Sequence, residues 1–210
     1  MPVITLAREF GAGGETVGHL LADRLGIEYL DGKIVDEAAR RLGIGTDVVE
    51  SYDERAGGLL DRLLRQLATV DFSTPQDVAA WTPPYGDLAW DPRKSVLAAT
   101  QEIIRNQAAT GNGVIVGRGA AYVLFDRPEV RRVFLRAPFD FRVRAIMEAR
   151  KLDEAAARKY LKERDANSAA YIKQIYGHDW QHTSHYDLVI DTARLGHQMA
   201  AGLILATLPK

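Results

Sequence analysis

The chain has 210 residues, with 27 Lys+Arg against 28 Asp+Glu for a formal net charge of −1, and its content is 47% hydrophobic and 26% charged. That length and balance fit a single globular domain with a sizeable core, and exclude disorder, collagen-like repeats and coiled coil. The near-neutral total argues against general nucleic-acid binding, and no apolar run approaches the roughly 18–20 residues of a membrane span. The start, Met1 to Thr5, has no basic n-region or cleavage site, so no secretory signal is expected. With 0 cysteines, disulfides, thiolate metal sites and cysteine nucleophiles are excluded, and a cytoplasmic protein is expected.

Val3 to Ala7 is apolar and β-branched, the pattern of a buried strand. After Gly11-Ala12-Gly13-Gly14, the residues Val17, Leu20, Leu21 and Leu25 form one helical face that Gly26 stops. Ile27 to Leu30 reads as a short strand. Helical patterns follow from Lys33 to Leu42 and from Asp47 to Arg55, and Leu60, Leu63, Leu64 and Leu67 give a further face. From Val70 to Pro92 the pattern breaks, with Pro75, Pro83, Pro84, Pro92, Trp81 and Trp90 concentrated there; a loop this long inside a domain is usually functional or mobile. Helix resumes near Lys94. Strands are then expected at Val114–Val116, Val130–Leu135 and Leu188–Ile190, with helices at Phe139–Arg150, Asp153 to about Asn167, and Leu195–Leu205. Alternating apolar strands and helices indicate an α/β domain, a parallel sheet covered on both faces, with a helical insertion between the second and third strands.

The segment Arg8-Glu9-Phe10-Gly11-Ala12-Gly13-Gly14-Glu15-Thr16 joins the first strand to the first helix, where a phosphate-binding loop belongs. Glycines there let successive backbone N–H groups turn toward an anion, and the helix N-terminus adds its positive end. The usual spacing is G-x-x-x-x-G-K-[ST]. Here Gly13 supplies the second glycine, Arg8 stands at the first, and Gly14 stands at the lysine. A tight turn with no ligand is the plain alternative.

Arg8 to Gly14, with Val17, Gly18 and Leu20 behind it, resembles the opening of the cytidylate kinase-like family, relatives of bacterial cytidylate kinase with a degenerate phosphate loop. The resemblance continues at Tyr29-Leu30-Asp31, at Val114 to Leu124 and at Tyr186 to Thr192, in the family's order. It implies a P-loop NTPase fold of the nucleoside monophosphate kinase type: five parallel strands, helices on both faces, a helical acceptor-binding insertion at about 31–110 and a lid at about 150–180. It also implies ATP-dependent phosphoryl transfer, with Mg²⁺, to a small-molecule nucleotide such as CMP or dCMP. Such catalysis is mostly positioning and charge neutralisation, so arginines and backbone amides are the groups to look for.

On that resemblance, Gly11, Ala12, Gly13 and Gly14 hold the donor phosphates with Glu15 and Thr16, and the Thr16 hydroxyl reaches phosphate or the metal. Arg8 is the nearest replacement for the missing lysine, and its five donors suit phosphate oxygens; a surface arginine capping the turn is the alternative. Arg118, between Gly117 and Gly119, corresponds to an acceptor-contacting arginine, while Val116 and Gly119 stand where cytidylate kinases carry acidic residues. Asp31 matches the start of the acceptor region and is equally a helix N-cap. Lys33 lies beside it, and Glu37 stands at an arginine position. Between Arg142 and Lys173 there are nine Lys/Arg and five Asp/Glu, an excess that a lid closing over ATP requires. Arg164 matches a lid arginine there; Arg142 and Lys173 are further candidates, and Ser168 and Tyr171 depart from the pattern. Most of these charges also fit a solvated helix with i,i+4 pairs such as Glu154–Arg158.

His178, His182 and His185 read as a structural or surface group rather than a metal site. Trp81, Tyr85 and Trp90 offer a base-stacking platform, insertion packing or a homodimer contact. Two alternatives to nucleotide phosphorylation stay open: a non-catalytic nucleotide sensor on the same fold, motivated by Gly14, Val116, Gly119 and Ser168, and a kinase for a non-nucleotide acceptor.

Overall fold

The computed structural model describes residues 2–53 and 91–208. The Leu60–Leu67 face and the aromatics Trp81, Tyr85 and Trp90 lie outside the described residues. The elements run β1 (Val3–Arg8), α1 (Gly14–Leu25), β2 (Tyr29–Leu30), α2 (Gly32–Leu42), α3 (Thr46–Asp53), α4 (Pro92–Ala109), β3 (Gly113–Val116), α5 (Ala120–Val123), β4 (Val130–Arg136), α6 (Phe139–Arg150), α7 (Glu154–Tyr176), β5 (Leu188–Asp191) and α8 (Thr192–Ala206). A 3-10 turn at Thr183–His185 precedes β5.

The five strands form one sheet of order β2-β3-β1-β4-β5, and every pairing is parallel. Side chains alternate across it, so β1, β2 and β3 each feed two cores. Val3, Leu30 and Ile115 face one way, onto Ile34, Val35, Ile103 and Ile104 of α2 and α4. Ile4, Leu6, Val114, Val116, Val133 and Leu135 face the other way, onto Val17 and Leu21 of α1 and Ala200 and Ile204 of α8. Burial on both faces is why these strands read as unbroken apolar runs.

Helix ends follow their sequence signals. Asp91, Asp153 and Asp191 cap α4, α7 and α8, each side chain accepting from backbone N–H groups of the first turn. The helix expected to end near Asn167 continues to Tyr176 and is closed by left-handed Gly177. Tyr171 and Ile172 in that extension pack with Phe134, Trp180 and Tyr186. Tertiary burial there overrides the weak helical preference of Asn167 and Ser168.

The chain runs out to β2 and β3 on one side of β1, then crosses to β4 and β5 on the other. The crevice beyond the carboxyl ends of the strands at such a reversal is where ligands of open α/β sheets bind. The turns after β1 and after β3 both lie there.

Candidate active site

The turn after β1 is built for an anion. Gly11 and Gly13 have φ of +84° and +79°, separated by buried Ala12, an alternation that aims successive amides into one concavity. Gly13 is the N-cap of α1 and no side chain caps that end, so the first-turn amides remain directed at the loop. A cleft of about 700 Å³ opens over it, walled by Gly11, Gly13, Gly14, Glu15 and Thr16 from the loop and helix, and by Arg8, Asp31, Arg118 and Arg164. Phe141, Ile146 and Arg150 of α6 and His197 of α8 complete the far wall. The volume lies in the range of small-molecule and cofactor sites.

Arg8 lies beside Gly14, the residue at the usual lysine position. A Cβ on Gly14 would lie 2.8 Å from Arg8 Cγ and 3.3 Å from both its Cβ and Cδ. At its other end, the guanidinium Nη1 would lie 2.7 Å from a Cβ on Gly117. The side chain thus runs from the phosphate loop to the turn after β3 through room that two glycines leave.

The turn after β3 holds Gly117, Arg118 and Gly119 all in the left-handed region, at φ of 74°, 55° and 67°. For a non-glycine residue this costs roughly 1–2 kcal/mol, and such strain concentrates at functional sites. Its product is an Arg118 side chain only 9% exposed, with Nη2 3.4 Å from Asp31 Oδ1. Asp31 and Arg118 are therefore brought together. Burial, reinforced by the Asp31 and Glu15 carboxylates, pushes the neighbouring Tyr29 phenol up to about 12, so it stays neutral. Beyond Arg118 lies a second cavity of about 40 Å³, lined by Arg8, Ser168, Tyr171, Trp180 and Tyr186.

The lid-region residues divide. Arg164 reaches the cleft, its guanidinium 4.7 Å from the centre of the Phe10 ring. Arg142 does not: it is buried, donating to Asp165 Oδ2 at 2.7 Å, the Phe10 carbonyl at 3.1 Å and the Ala137 carbonyl at 3.0 Å, with Glu9 Oε2 at 3.5 Å. Asp165 Oδ1 also accepts from the Phe10 amide at 3.1 Å. Arg142 and Asp165 therefore tie the phosphate loop to α6 and α7, with the Nε and Nη1 donors of Arg142 engaged in this clamp. Lys33 is exposed and paired with Glu28 at 2.6 Å, and Lys173 donates to the Gly177 carbonyl at 3.3 Å at the end of α7. Neither lines the cleft.

Of the histidines in the loop after α7, His178 and His185 pack against Tyr122. His178 and His185 have ring centres 4.5 Å apart, and His182 Nδ1 lies 2.7 Å from Ser184 Oγ. Phe10, Phe141, Ile146, Arg150 and His197 also line the cleft and went unanticipated. A sequence signal existed only for Phe10, which lies within the loop itself; α6 and α8 reach the cleft through the fold alone.

The donor set suits the groups a kinase uses. The loop amides fit phosphate, and the oxygens of Glu15, Thr16 and Asp31 along one cleft are the hard ligands that Mg²⁺ takes beside substrate phosphates.

Residues 3–194 match the family model described as the cytidylate kinase-like family. Among curated relatives, the cytidylate kinase of Methanopyrus kandleri is 26% identical over 98% of this chain and 92% of its own length. That of Methanocaldococcus jannaschii is 36% identical over 45% of this chain, a match spanning 56% of that enzyme. An uncharacterized protein from Eubacterium ventriosum superposes with a TM-score of 0.68 at 21% identity, covering 98% of this chain and 97% of that one. Shikimate kinase from Bacteroides thetaiotaomicron gives a TM-score of 0.51 at 14% identity, covering 98% and 94%. The phosphate-loop geometry, the parallel sheet order and these matches agree: the chain belongs to the cytidylate kinase-like family and is a nucleotide kinase-like phosphotransferase.

Proposed function

We propose that the protein transfers the γ-phosphoryl group of ATP to a nucleoside monophosphate, with CMP or dCMP the first acceptors to try. The observation that carries this reading is Arg8, a guanidinium spanning from the phosphate loop to the Arg118 turn through the gaps at Gly14 and Gly117. A cation at that position lies between donor and acceptor, where charge must be neutralised during transfer.

The Gly11–Gly14 amides hold the donor phosphates, and Arg164, on the α7 side of the cleft, adds charge from above. Arg118, oriented by Asp31, binds the acceptor phosphate. Thr16 would hold Mg²⁺, which would supply positive charge against the phosphates. The acceptor oxygen attacks the γ-phosphorus, the bond to the β–γ bridging oxygen breaks, and ADP leaves. A monophosphate acceptor arrives with an anionic oxygen, so no side chain need take a proton from it.

A second reading is favoured by one observation. The cavity beside Arg118, about 40 Å³ and walled by Tyr171, Trp180 and Tyr186, has room for only a small group. A compact hydroxyl acceptor would fit it and would need a base; no carboxylate among the described residues lines that cavity, and Asp31, which walls the adjoining cleft and pairs with Arg118, is the candidate. ADP release from Mg-ATP with CMP, dCMP, UMP, AMP, GMP and small polyols, against a no-acceptor blank, separates the two. Asp31→Asn should leave transfer to a monophosphate within about tenfold but cost transfer to a hydroxyl about 10²–10⁴-fold. No acceptor-dependent turnover in a protein that still binds ATP would instead support a nucleotide sensor.

A further inference from the structure

Phe10 is the aromatic residue of the phosphate loop, and α6 and α7 hold it from several directions. Its amide donates to Asp165 Oδ1 and its carbonyl accepts from Arg142 Nη1, both at 3.1 Å, so its backbone is tied on both sides. Its ring packs against Val143 and Ile146 of α6 and Ala157 and Leu161 of α7, and meets Tyr160 edge-on, with centres 5.5 Å apart at 74°. Over that ring lies the Arg164 guanidinium, 4.7 Å from its centre, and both residues wall the cleft. Tyr160 and Arg164 are four apart in α7 and so share one side of it.

We infer that Phe10 is a positioning residue for phosphate binding: its ring holds the Arg164 guanidinium beside the loop, so that it meets the donor's phosphates already oriented. The inference rests on the donor-site reading above. Asp165, the next residue of α7, is bound to both the Phe10 amide and Arg142, which fixes the backbone from which Arg164 extends. The ring then restrains the far end of that long side chain. A guanidinium restrained before the ligand arrives loses less rotamer freedom on binding. A ring face also attracts the cation without neutralising it, as a carboxylate would. Leucine at position 10 would keep an apolar side chain among Val143, Ile146, Ala157 and Leu161 but has no negative face to offer Arg164.

The test is calorimetric binding of inorganic tripolyphosphate, in EDTA so that metal occupancy does not vary. Wild type is compared with Phe10→Leu, Phe10→Tyr, Arg164→Gln and the Phe10→Leu/Arg164→Gln double variant, with thermal denaturation reporting that each is folded. Arg164→Gln should weaken binding about tenfold or more, the loss of a charge-assisted contact, and Phe10→Leu about fivefold. Phe10→Tyr keeps the ring face and should bind within about twofold of wild type. In the Arg164→Gln background, Phe10→Leu should cost less than about twofold more, because the ring has no cation left to hold. Phe10→Met repeats the comparison with a longer apolar side chain, so that lost packing is not mistaken for a lost ring. An equal loss from Phe10→Leu in both backgrounds overturns the inference and leaves the ring as packing for the loop. Wild-type affinity in Phe10→Leu, or Phe10→Tyr as weak as Phe10→Leu, also overturns it. Failure of wild type to bind tripolyphosphate would instead sink the donor-site reading itself.

Discussion

Restoring lysine at position 14 probes the exchange between Arg8 and the missing phosphate-loop cation. Gly14 is the first residue of α1 and is absent from the positive-φ positions, so its backbone would accept a lysine. What stands in the way is Arg8, whose Cγ would be 2.8 Å from the new Cβ. Overpacking of this kind costs about 1–3 kcal/mol, and for a chain of this size each kcal/mol lowers Tm by roughly 2–4 °C. Gly14→Lys alone should therefore destabilise, because Arg8 must swing out of the room that both glycines leave. Arg8→Gly alone should slow phosphoryl transfer by about 10²–10³-fold, the usual loss for one donor aimed at developing charge. The double variant recreates the G-x-x-x-x-G-K spacing. It should recover the lost Tm and more turnover than Arg8→Gly, a coupling of about 0.5–3 kcal/mol between contacting residues. Thermal denaturation and ADP release on the four proteins close the cycle. Additive effects, with coupling below about 0.5 kcal/mol, would refute the idea that Arg8 and a lysine at 14 compete for one place.

Three further outcomes are expected. Arg118→Gly should be more stable than Arg118→Ala by about 1 kcal/mol, because only glycine relieves the left-handed φ of 55°, while both lose acceptor-dependent turnover; equal Tm values would remove the strain argument. Arg142→Met should cost about 3–5 kcal/mol in denaturant unfolding, since it strands the carboxylates of Asp165 and Glu9, and a cost below about 1 kcal/mol would show the clamp to be dispensable. Burial, followed by the nearby His178 and His182, holds the His185 imidazole below its ordinary value. The folded state then takes up this proton less readily than the unfolded chain. Its contribution to stability is present above the ordinary 6.5 and is lost as pH falls through the lowered value. Tm should drop on acidification below 6.5, and His185→Gln should flatten that drop; an unchanged slope would contradict it.

Much of the fold is legible because the sheet is buried on both faces. Val3 to Leu6, Val114 to Val116 and Val130 to Leu135 declare themselves as apolar runs, and Gly26 marks a helix end by the left-handed φ it adopts. The loop, Arg8 and Arg118 stand out in sequence beside glycines, Asp31 and Arg164 are singled out only by the family resemblance, and all of them line the cleft. Charge alone misleads in the lid region. Arg142 looks like any other lid cation in sequence, yet its four oxygen partners come from residues 9, 10, 137 and 165, which only the fold assembles. Lys33 and Lys173 find partners four or five residues away and stay at the surface. His197 is invisible for the opposite reason: it lines the cleft from beside non-helical Gly196, within a helix whose apolar pattern reads as regular.

The account turns on Arg8 as the charge between donor and acceptor. The most direct test is single-turnover formation of the phosphorylated acceptor from Mg-ATP, comparing wild type with Arg8→Ala at saturating ATP and with ATP affinity measured alongside. The expected result is a transfer rate about 10²–10³-fold lower in Arg8→Ala while ATP binding changes by less than about tenfold. Transfer by Arg8→Ala at the wild-type rate would contradict the account and return Arg8 to the role of a turn-capping side chain.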